Sequence, residues 1–402
     1  MSKHQEGYLS VIVFGCLILV ISFGARASFG LFLPEMTVAR GWSREVFSFA
    51  FAVQNIVWGI AGSLLGAYAD RYGARLVIVL GGVLYALGLA GMAFAETGTL
   101  LTLTSGVLIG IAIGSTAFGI IFSVIGKVVP ADKRTLAFGL GTAAGSFGQF
   151  LFLPFTGQLI GSIGWHQTLL VLAGCAALII ALAFGVSGDR PRPDAAGDVR
   201  MRDALNTAVR DRSFHLLFWG YFVCGLQVVF IALHLPVYLQ DKGMSATVGA
   251  TAVALIGLFN IIGSIGSGLL GQKLSKKWLL AAIYVLRSLV MIGFLWAPLS
   301  ITSVYVFSAV MGLLWLSTVP PTTALVGQIY GVRHLGMLGG LIFFGHQIGS
   351  FIGAWLGGRI FDTTGSYDMA WLMVIAFGAF AAVVHMPIDQ RPLGDRTLLA
   401  PA

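Results

Sequence analysis

Long apolar stretches separated by short polar segments make up most of this sequence of 402 residues. A helix needs about 20 apolar residues to cross the hydrocarbon core of a bilayer, and each stretch meets that length. The stretches lack the strict two-residue alternation that is typical of membrane β-barrel strands. The pattern therefore predicts an all-α integral membrane protein with twelve transmembrane helices. The predicted spans are residues 9–33, 47–68, 76–95, 100–126, 135–160, 167–187, 214–239, 248–271, 278–297, 301–327, 336–358 and 368–387.

One long polar segment, residues 188–213, interrupts the apolar pattern and contains six arginines and five aspartates. Six predicted spans precede it and six follow it. The sequence therefore predicts two six-helix bundles, residues 1–187 and 214–402, joined by a linker. Within the linker, residues 199–211 fit either a short amphipathic helix on the membrane surface or a solvated connection, and both interpretations remain open.

The composition agrees with a membrane protein, since 57% of the residues are hydrophobic and 10% are charged. No water-soluble domain keeps so little polar surface. The formal net charge of +8 does not indicate nucleic-acid binding, because the basic residues lie in short loops beside the predicted spans. Residues 8–24 superficially resemble a signal peptide, but the preceding region holds only Lys3 and His4 as basic residues. We interpret this segment as the first membrane helix.

The distribution of basic residues predicts the orientation. With the N-terminus in the cytoplasm, 18 of the 24 Lys and Arg residues fall in segments on the cytoplasmic side and four on the other side. By the positive-inside rule both termini are cytoplasmic. Short basic loops of this style fit a multi-pass protein of the bacterial inner membrane. Cys16, Cys175 and Cys224 all lie in apolar stretches, so we expect no disulfide framework.

Glycines indicate how the predicted helices pack and how the chain arose. Gly106, Gly110 and Gly114 recur every four residues and predict a smooth packing face, because small residues let helix backbones approach closely in lipid. Gly145-Ser-Phe147 recurs 204 residues later as Gly349-Ser-Phe351. The turn from Gly66 to Arg75 has a counterpart around Gly271 to Lys277, about 205 residues on. A duplicated six-helix unit is the layout of secondary transporters, which hold substrate near the midplane between repeats.

The placement of charge suggests a substrate class. All 16 carboxylates lie at the ends of the apolar stretches or between them, whereas Arg26 and Arg287 lie inside predicted spans. A charge at bilayer depth costs several kcal/mol unless it is paired or used. Buried cations without buried carboxylates therefore indicate a protein that handles an anion.

The sequence Gly66-Ala-Tyr-Ala-Asp70-Arg71-Tyr-Gly73-Ala-Arg75 resembles the signature between the second and third helices of the major facilitator superfamily. The resemblance covers essentially the whole chain. The opening Arg26-Ala-Ser28-Phe29-Gly30-Leu-Phe32-Leu33-Pro34, with Gly41-Trp42-Ser43-Arg44 after it, is similar to the monocarboxylate-transporter and oxalate/formate-exchanger side of that superfamily. Further segments resemble its bacterial members of undefined substrate; they are Phe222-Val-Cys224-Gly225-Leu-Gln227, His234-Leu-Pro236 and His346-Gln347-Ile-Gly349-Ser-Phe351.

The resemblance implies a gating role for Asp70, Arg71 and Arg75. In the family this turn acts as a latch, in which a carboxylate pairs with charges and helix ends in one conformation. A carboxylate near a helix N-terminus is favoured by the helix dipole. The alternative is a simple basic turn on the cytoplasmic side.

Two arginines are candidates for binding an anion. Arg26 lies about two-thirds of the way along the first predicted span, and its guanidinium could offer several donors to a carboxylate; the alternative is that it extends to the outer membrane interface. Arg287 lies ten residues past Lys277, about 15 Å deep at 1.5 Å per residue. It is either a ligand for substrate or a structural arginine bonded to neighbouring helices.

Other polar residues at membrane depth complete the candidate site. A histidine can relay protons near neutrality, so His346 and, with less support, His234 are candidates for proton coupling, with packing residues as the alternative. Gln227 and Trp315 lie on spans that face the cavity in the resembled fold and are candidates for substrate binding. Asn260 is a further candidate, and it stands where the resemblance to animal monocarboxylate carriers would place an arginine.

Together these features predict a secondary active transporter that moves a small organic anion, a mono- or dicarboxylate, by alternating access, with proton symport or anion exchange as the driving reaction. An exporter of amphipathic or drug-like compounds is the first alternative. It is disfavoured because the fifth span lacks the Gly-Pro pair that exporters of the drug/proton antiporter kind usually carry. A membrane scaffold without transport is another. We expect no enzymatic activity, cofactor, metal or nucleic-acid partner, and we expect a monomer in the lipid bilayer whose partners are the anion and, under proton coupling, protons.

Overall fold

The computed structural model describes residues 3–42, 44–186 and 200–397, which are almost entirely helical. In chain order the helices are α1 (Lys3–Ala27), α2 (Phe29–Arg40), α3 (Arg44–Tyr72), α4 (Ala74–Ala93), α5 (Gly98–Leu101), a π-helical turn (Thr102–Leu108), α6 (Ile109–Thr116), α7 (Phe118–Val128), α8 (Arg134–Leu182), a 3₁₀ turn (Ala183–Gly185), α9 (Met201–Arg210), α10 (Arg212–Asp241), α11 (Ala246–Lys273), α12 (Lys276–Trp296), α13 (Ile301–Leu314), α14 (Val319–Tyr330), α15 (Leu335–Thr364), α16 (Asp368–His385) and α17 (Leu393–Thr397).

Eleven segments of the described chain are long and apolar enough to cross a membrane. The predicted fifth and sixth spans fall together in one candidate of 52 residues, Arg134–Gly185, and for this reason the number differs from the twelve predicted. Its helix α8 departs from helical geometry at Gly164 (φ 80°, ψ 165°). A positive φ of this size is readily adopted by glycine, so the sequence encodes the bend locally. The apolar runs form helices, in which every backbone hydrogen bond is made within the segment, as lipid requires.

Residues 199–211, for which a short amphipathic helix and a solvated connection were both open, contain the helix α9, Met201–Arg210. Residues 188–199 of the predicted linker lie outside the described residues.

The chain packs into two compact units. Unit 1 comprises Met1–Ala131, Ala144–Met201 and Val332–Leu341, and unit 2 comprises Asp132–Ala143, Arg202–Gly331 and Ile342–Ala402. Each unit therefore includes one short segment from the other predicted bundle. The helices α8 and α15 contribute residues to both.

Glycine contacts bring helices of unit 1 together. A Cβ added to Gly110 or Gly114 would lie 2.9 Å from Val57 or Ala61 of α3, which is closer than real Cβ atoms approach one another. A Cβ on Gly106 would lie 3.0 Å from the carbonyl oxygen of Ala50. The smooth packing face predicted from the four-residue spacing is thus confirmed.

Equivalent hydrogen bonds recur in the two units. In unit 1 the hydroxyl groups of Ser22 and Thr116 are 2.8 Å apart and join residues 94 positions apart. In unit 2 the Cys224 sulfur and the Thr318 hydroxyl are 3.1 Å apart, again with a separation of 94. Both pairs lie where a helix is interrupted, at Ala117 in unit 1 and between α13 and α14 in unit 2. These matched positions support the duplication inferred from the sequence.

Candidate functional site

The carboxylate of Asp70, in the last turn of α3, is fully buried and makes three polar contacts. It forms an ion pair with Lys127 of α7, with 3.1 Å between Oδ1 and Nζ. It accepts hydrogen bonds from the Ser123 hydroxyl (2.7 Å) and from the backbone N–H of Met337 (2.9 Å). The last donor lies in the first turn of α15, where backbone N–H groups lack partners within the helix. The carboxylate therefore caps the positive end of α15, all within unit 1.

Two glycines make this contact possible. A Cβ on Gly336 would lie 2.8 Å from the Gly66 carbonyl oxygen and 3.0 and 3.1 Å from the two carboxylate oxygens of Asp70. A Cβ on Gly66 would overlap the Gly336 backbone. The start of α15 thus reaches the Asp70 carboxylate only because neither residue carries a side chain.

The two arginines of the motif do not join Asp70. Arg71 and Arg75 are exposed, and their guanidinium groups lie over the Tyr72 ring (5.1 Å) and the Phe184 ring (5.7 Å). The cation that pairs with Asp70 is Lys127, which the sequence pattern did not mark as part of the motif. Lys127 follows Ser123 by four residues, which places both on one face of a helix. This spacing was the feature of the sequence that could have identified Lys127.

Arg26, in the last turn of α1, is half-buried among aromatic rings. Its guanidinium carbon lies 5.1 Å from the centroid of the Phe51 ring and 4.8 Å from that of the Trp58 ring. Its Nη2 donates a hydrogen bond to the side-chain oxygen of Asn55 (2.7 Å), while its buried Nε has no hydrogen-bond partner in the part of the chain that the structure describes. Asn55 in turn donates to the Phe51 carbonyl (2.9 Å). The structure thus presents a guanidinium that is held by Asn55 through Nη2 and whose buried Nε has no hydrogen-bond partner among the described residues.

Arg287 of α12 has the opposite surroundings. It is 1% exposed, and its Nε and Nη2 donate to the Leu314 carbonyl (3.0 and 2.7 Å). Nη2 also donates to the Trp315 carbonyl, and Nη1 donates to the side-chain oxygen of Gln227 (3.2 Å). Every nitrogen of this guanidinium is engaged by acceptors of unit 2.

Gln227 and Asn260 are also buried and bonded within unit 2. Gln227 donates through Nε2 to the Val374 carbonyl (3.2 Å). The side-chain oxygen of Asn260 accepts from the Leu316 backbone N–H (2.9 Å) and from the Ser264 hydroxyl (3.2 Å). Trp315, whose carbonyl binds Arg287, is partly exposed.

The two candidate histidines differ in how their ring nitrogens are satisfied. In His234, Nε2 is 3.0 Å from the Ala354 carbonyl and Nδ1 is 3.2 Å from the Tyr367 hydroxyl. Since a carbonyl only accepts, Nε2 carries the proton, and a neutral ring accepts from the hydroxyl at Nδ1. Both nitrogens of His234 are therefore satisfied by protein.

His346 is buried and stacked on Phe343, with ring centroids 5.3 Å apart. Its Nδ1 is 3.3 Å from the side-chain oxygen of Gln347 and 3.4 Å from the Ser350 hydroxyl. The Tyr221 ring lies 5.1 Å away, and the Cys224 thiol is a further neighbour. The surroundings of His346 are thus polar and titratable on more than one side.

Sequence reasoning did not single out His385 or Cys224. His385 is 1% exposed at the end of α16, donates from Nδ1 to the Ala381 carbonyl (2.7 Å) and stacks on Tyr284. Its position inside the last predicted span was the signal that could have identified it. Cys224 lies 3.7 and 3.9 Å from the two Nη atoms of Arg287, a proximity that only the tertiary structure reveals.

Comparison with known proteins bears on the family. A family model described as Major Facilitator Superfamily matches residues 15–354. The uncharacterized MFS-type transporter YcxA of Bacillus subtilis is 27% identical over 96% of this chain and 95% of its own length. Monocarboxylate transporter 12 of Homo sapiens is 23% identical over 92% of this chain and 78% of its own length.

Solved structures agree on the fold. The transporter FucP in its outward conformation superposes with a TM-score of 0.79 at 16% identity and covers 95% of this chain and 99% of its own. The human organic anion transporter MFSD10 superposes with a TM-score of 0.75 at 14% identity and covers 96% of this chain and 100% of its own. At these identities the likeness concerns the fold alone.

The fold is that of multi-pass helical membrane proteins. The extent of the matched model identifies the family: the chain belongs to the Major Facilitator Superfamily. The resemblance found in the sequence is confirmed, and the relatives include monocarboxylate transporters as well as bacterial MFS-type transporters.

Proposed function

We propose that this protein is a secondary active transporter of a small organic anion, a mono- or dicarboxylate, that works by alternating access. The observation that carries the proposal is Arg26, whose Nη2 is held by Asn55 while its buried Nε has no hydrogen-bond partner. Charge-assisted bonds from a guanidinium to a carboxylate are among the strongest in proteins. The names of the monocarboxylate transporters among the relatives support the same substrate class.

The aromatic surroundings of Arg26 favour a function in binding. The rings of Phe51 and Trp58 lie against its guanidinium, and in such apolar surroundings the attraction between a guanidinium and a carboxylate is stronger than in open water. Both rings also stabilise the cation while no anion is present. A preformed cation of this kind binds an anion without first breaking an internal ion pair.

Asp70 is proposed as the gating group. Its contacts with Lys127 and with the Met337 N–H stabilise one arrangement of α3, α7 and the start of α15. Release of these contacts would accompany the change of access. The exposed Arg71 and Arg75 would supply the positively charged groups of this gate on the cytoplasmic surface.

His346 is proposed as the coupling group if protons supply the drive, and anion exchange is the alternative. It is buried beside Gln347, Ser350, Tyr221 and Cys224. His234 is less suited to exchange protons, since both of its ring nitrogens are bonded to protein.

The proposed topology has twelve crossings with both termini in the cytoplasm of a bacterial cell. Helix α8 would cross the membrane twice, because its 49 residues span about 74 Å at 1.5 Å per residue, more than twice the hydrocarbon thickness of about 30 Å. Its bend at Gly164 would lie at the outer surface. The excess of Lys and Arg in the alternate loops supports this orientation.

The test is thermal unfolding of the purified protein with a panel of mono- and dicarboxylates at pH 5.5 and 7.5. Binding to the native state stabilises it by about 2.7 kcal/mol at 100 times the dissociation constant. We expect one carboxylate class to raise the melting temperature of the wild type and not that of Arg26→Gln. Arg359→Gln, which removes an exposed cation, is the matched control and should respond like the wild type.

The outcomes separate the rival functions. A shift with hydrophobic compounds and none with any carboxylate would replace this proposal with an exporter of amphipathic compounds. Equal carboxylate shifts in wild type, Arg26→Gln and Arg26→Lys would show that Arg26 is not the binding group.

A further inference from the structure

The membrane segment Ile301–Tyr330 is interrupted between α13 and α14. Residues 315–318 break the helix, and Pro320 and Pro321 follow in the first turn of α14. Proline has no backbone N–H, so neither residue can bond the carbonyl four positions earlier. The backbone groups released at such a break must find partners inside the protein, since lipid offers none.

Arg287 satisfies the carbonyls at the end of α13. Within a continuous helix the Leu314 and Trp315 carbonyls would accept from residues 318 and 319, but the Val319 N–H bonds the Leu316 carbonyl instead. Arg287 donates to both released carbonyls. The C-terminus of a helix carries about half a negative charge, which explains how this guanidinium is buried beside no carboxylate among the described residues.

Asn260 satisfies the opposite kind of group at the same break. The Gly312 carbonyl accepts from the Trp315 N–H, so the Leu316 N–H lacks its helical partner and donates to Asn260. The side chains that contact the break are those of Cys224 in α10, Asn260 in α11 and Arg287 in α12. Arg287 bonds the carbonyl of Trp315, which is partly exposed, and Asn260 bonds the N–H of the next residue, Leu316.

The matching break in unit 1 needs no such contacts. At Ala117 the backbone N–H still bonds the Ile113 carbonyl (2.8 Å), and the Ala117 carbonyl still accepts from Ile121 (3.4 Å). The side-chain hydrogen bonds that join helices there in the described part of the chain come from neutral groups: the hydroxyl pair of Ser22 and Thr116 and the Tyr85 hydroxyl, which donates to the Ser22 carbonyl (2.7 Å). The cation of unit 2 thus lies where the carbonyls of Leu314 and Trp315 are released from the helical pattern, whereas the Ile113 carbonyl of unit 1 keeps its helical donor.

We infer that Arg287 and Asn260 are positioning residues that hold the α13–α14 break and thereby orient Trp315, and that neither is a ligand for the transported anion. The inference deepens the proposed function. It rests on that function because it leaves Arg26 as the guanidinium that binds the substrate. It accounts for the second intramembrane arginine without a second anion site. It also makes Trp315, rather than the residues behind it, the group through which unit 2 would select a substrate.

The experiment uses the full-length protein without substrate, so its result is independent of the substrate class. Hydrogen exchange measured by mass spectrometry reports the backbone around the break, because an amide exchanges when its hydrogen bond opens. We expect Asn260→Ala and Arg287→Lys to speed exchange in peptides covering residues 312–322 by about tenfold. Ser267→Ala and Ser288→Ala, buried on the same two helices and bonded elsewhere, should leave it unchanged.

A second readout follows the Trp315 side chain. In protein labelled with 5-fluorotryptophan, the ¹⁹F resonance lost in Trp315→Phe is that of Trp315. We expect Asn260→Ala and Arg287→Lys to shift or broaden it, while the resonance of Trp296, which is 85% exposed, stays in place. Asn260→Ala serves alone if Arg287→Lys does not fold.

Two results would overturn the inference. One is native exchange and a native Trp315 resonance in folded Asn260→Ala or Arg287→Lys. The other is an Arg287→Lys protein with native exchange that loses the melting shift produced by a carboxylate in the wild type. Failure of the carboxylate panel on the wild type would instead refute the proposed function and leave the exchange result standing.

Discussion

The carboxylate of Asp70 accepts a hydrogen bond from the backbone N–H of Met337, a residue 267 positions later in the chain, at 2.9 Å. The same carboxylate pairs with Lys127. One buried acid therefore connects the end of α3, the end of α7 and the beginning of α15. This connection is the basis of the gating function proposed for Asp70.

Asp70→Asn removes the charge and keeps the size of this side chain. Since a hydrogen bond to a charged group contributes about 1.5–3 kcal/mol, we expect the variant to melt at lower temperature and to transport several-fold more slowly. A cycle with Lys127→Gln should give a coupling of about 0.5–3 kcal/mol. Strictly additive effects on thermal unfolding would mean that the ion pair does not contribute.

Gly336→Ala tests the close approach of α3 and α15. The added Cβ would meet the Gly66 carbonyl at 2.8 Å, and overpacking of this kind costs about 1–3 kcal/mol. Gly339→Ala is the matched control, because the nearest atom to its Cβ is a leucine methyl group at 4.0 Å. Thermal unfolding should separate the two variants, and equal melting temperatures would contradict the contact.

Arg26→Ala should weaken carboxylate binding more than it weakens folding. Loss of a charge-assisted bond of about 1.5–3 kcal/mol corresponds to roughly a 10- to 150-fold higher dissociation constant. Asn55→Leu, which frees the guanidinium from its positioning partner, should have a smaller effect in the same direction. Isothermal titration with the carboxylate that stabilises the wild type measures both, and an unchanged affinity in Arg26→Ala contradicts the assignment.

His346→Gln should flatten the pH dependence of transport between pH 5.5 and 7.5. Uptake rises toward low pH when a proton is carried with the anion, and Gln occupies similar space without titrating. His234→Gln is the comparison, since that ring is already bonded through both nitrogens. Uptake into proteoliposomes across this range decides the point. A retained pH dependence in His346→Gln would direct attention to its titratable neighbours Tyr221 and Cys224.

The two intramembrane arginines show how far sequence reasoning reached. Both were identified because a charge inside an apolar run is conspicuous. Their surroundings could not be read from the pattern, since Arg26 meets Asn55 of another helix and Arg287 meets the backbone of Leu314 and Trp315. Which arginine has free donors depends on contacts between residues about 30 positions apart.

The motif from Gly66 to Arg75 shows the same division. Its residues were sufficient to recognise the superfamily, which the match over residues 15–354 confirms. The cation beside Asp70 is nevertheless Lys127 and not an arginine of the motif. Adjacent helical residues point in different directions, so nearness in sequence did not make Arg71 the partner.

The sequence by itself determined where the helical segments lie. The length of an apolar run and the presence of glycine or proline are local properties, and an apolar segment in lipid satisfies its backbone by forming a helix. The tertiary structure decided which polar groups meet: Asp70 with Met337, Asn260 with Leu316, and Arg287 with the end of α13. Such pairs depend on how helix faces pack against one another through glycines and side-chain volumes, and no local pattern in the chain specifies that packing.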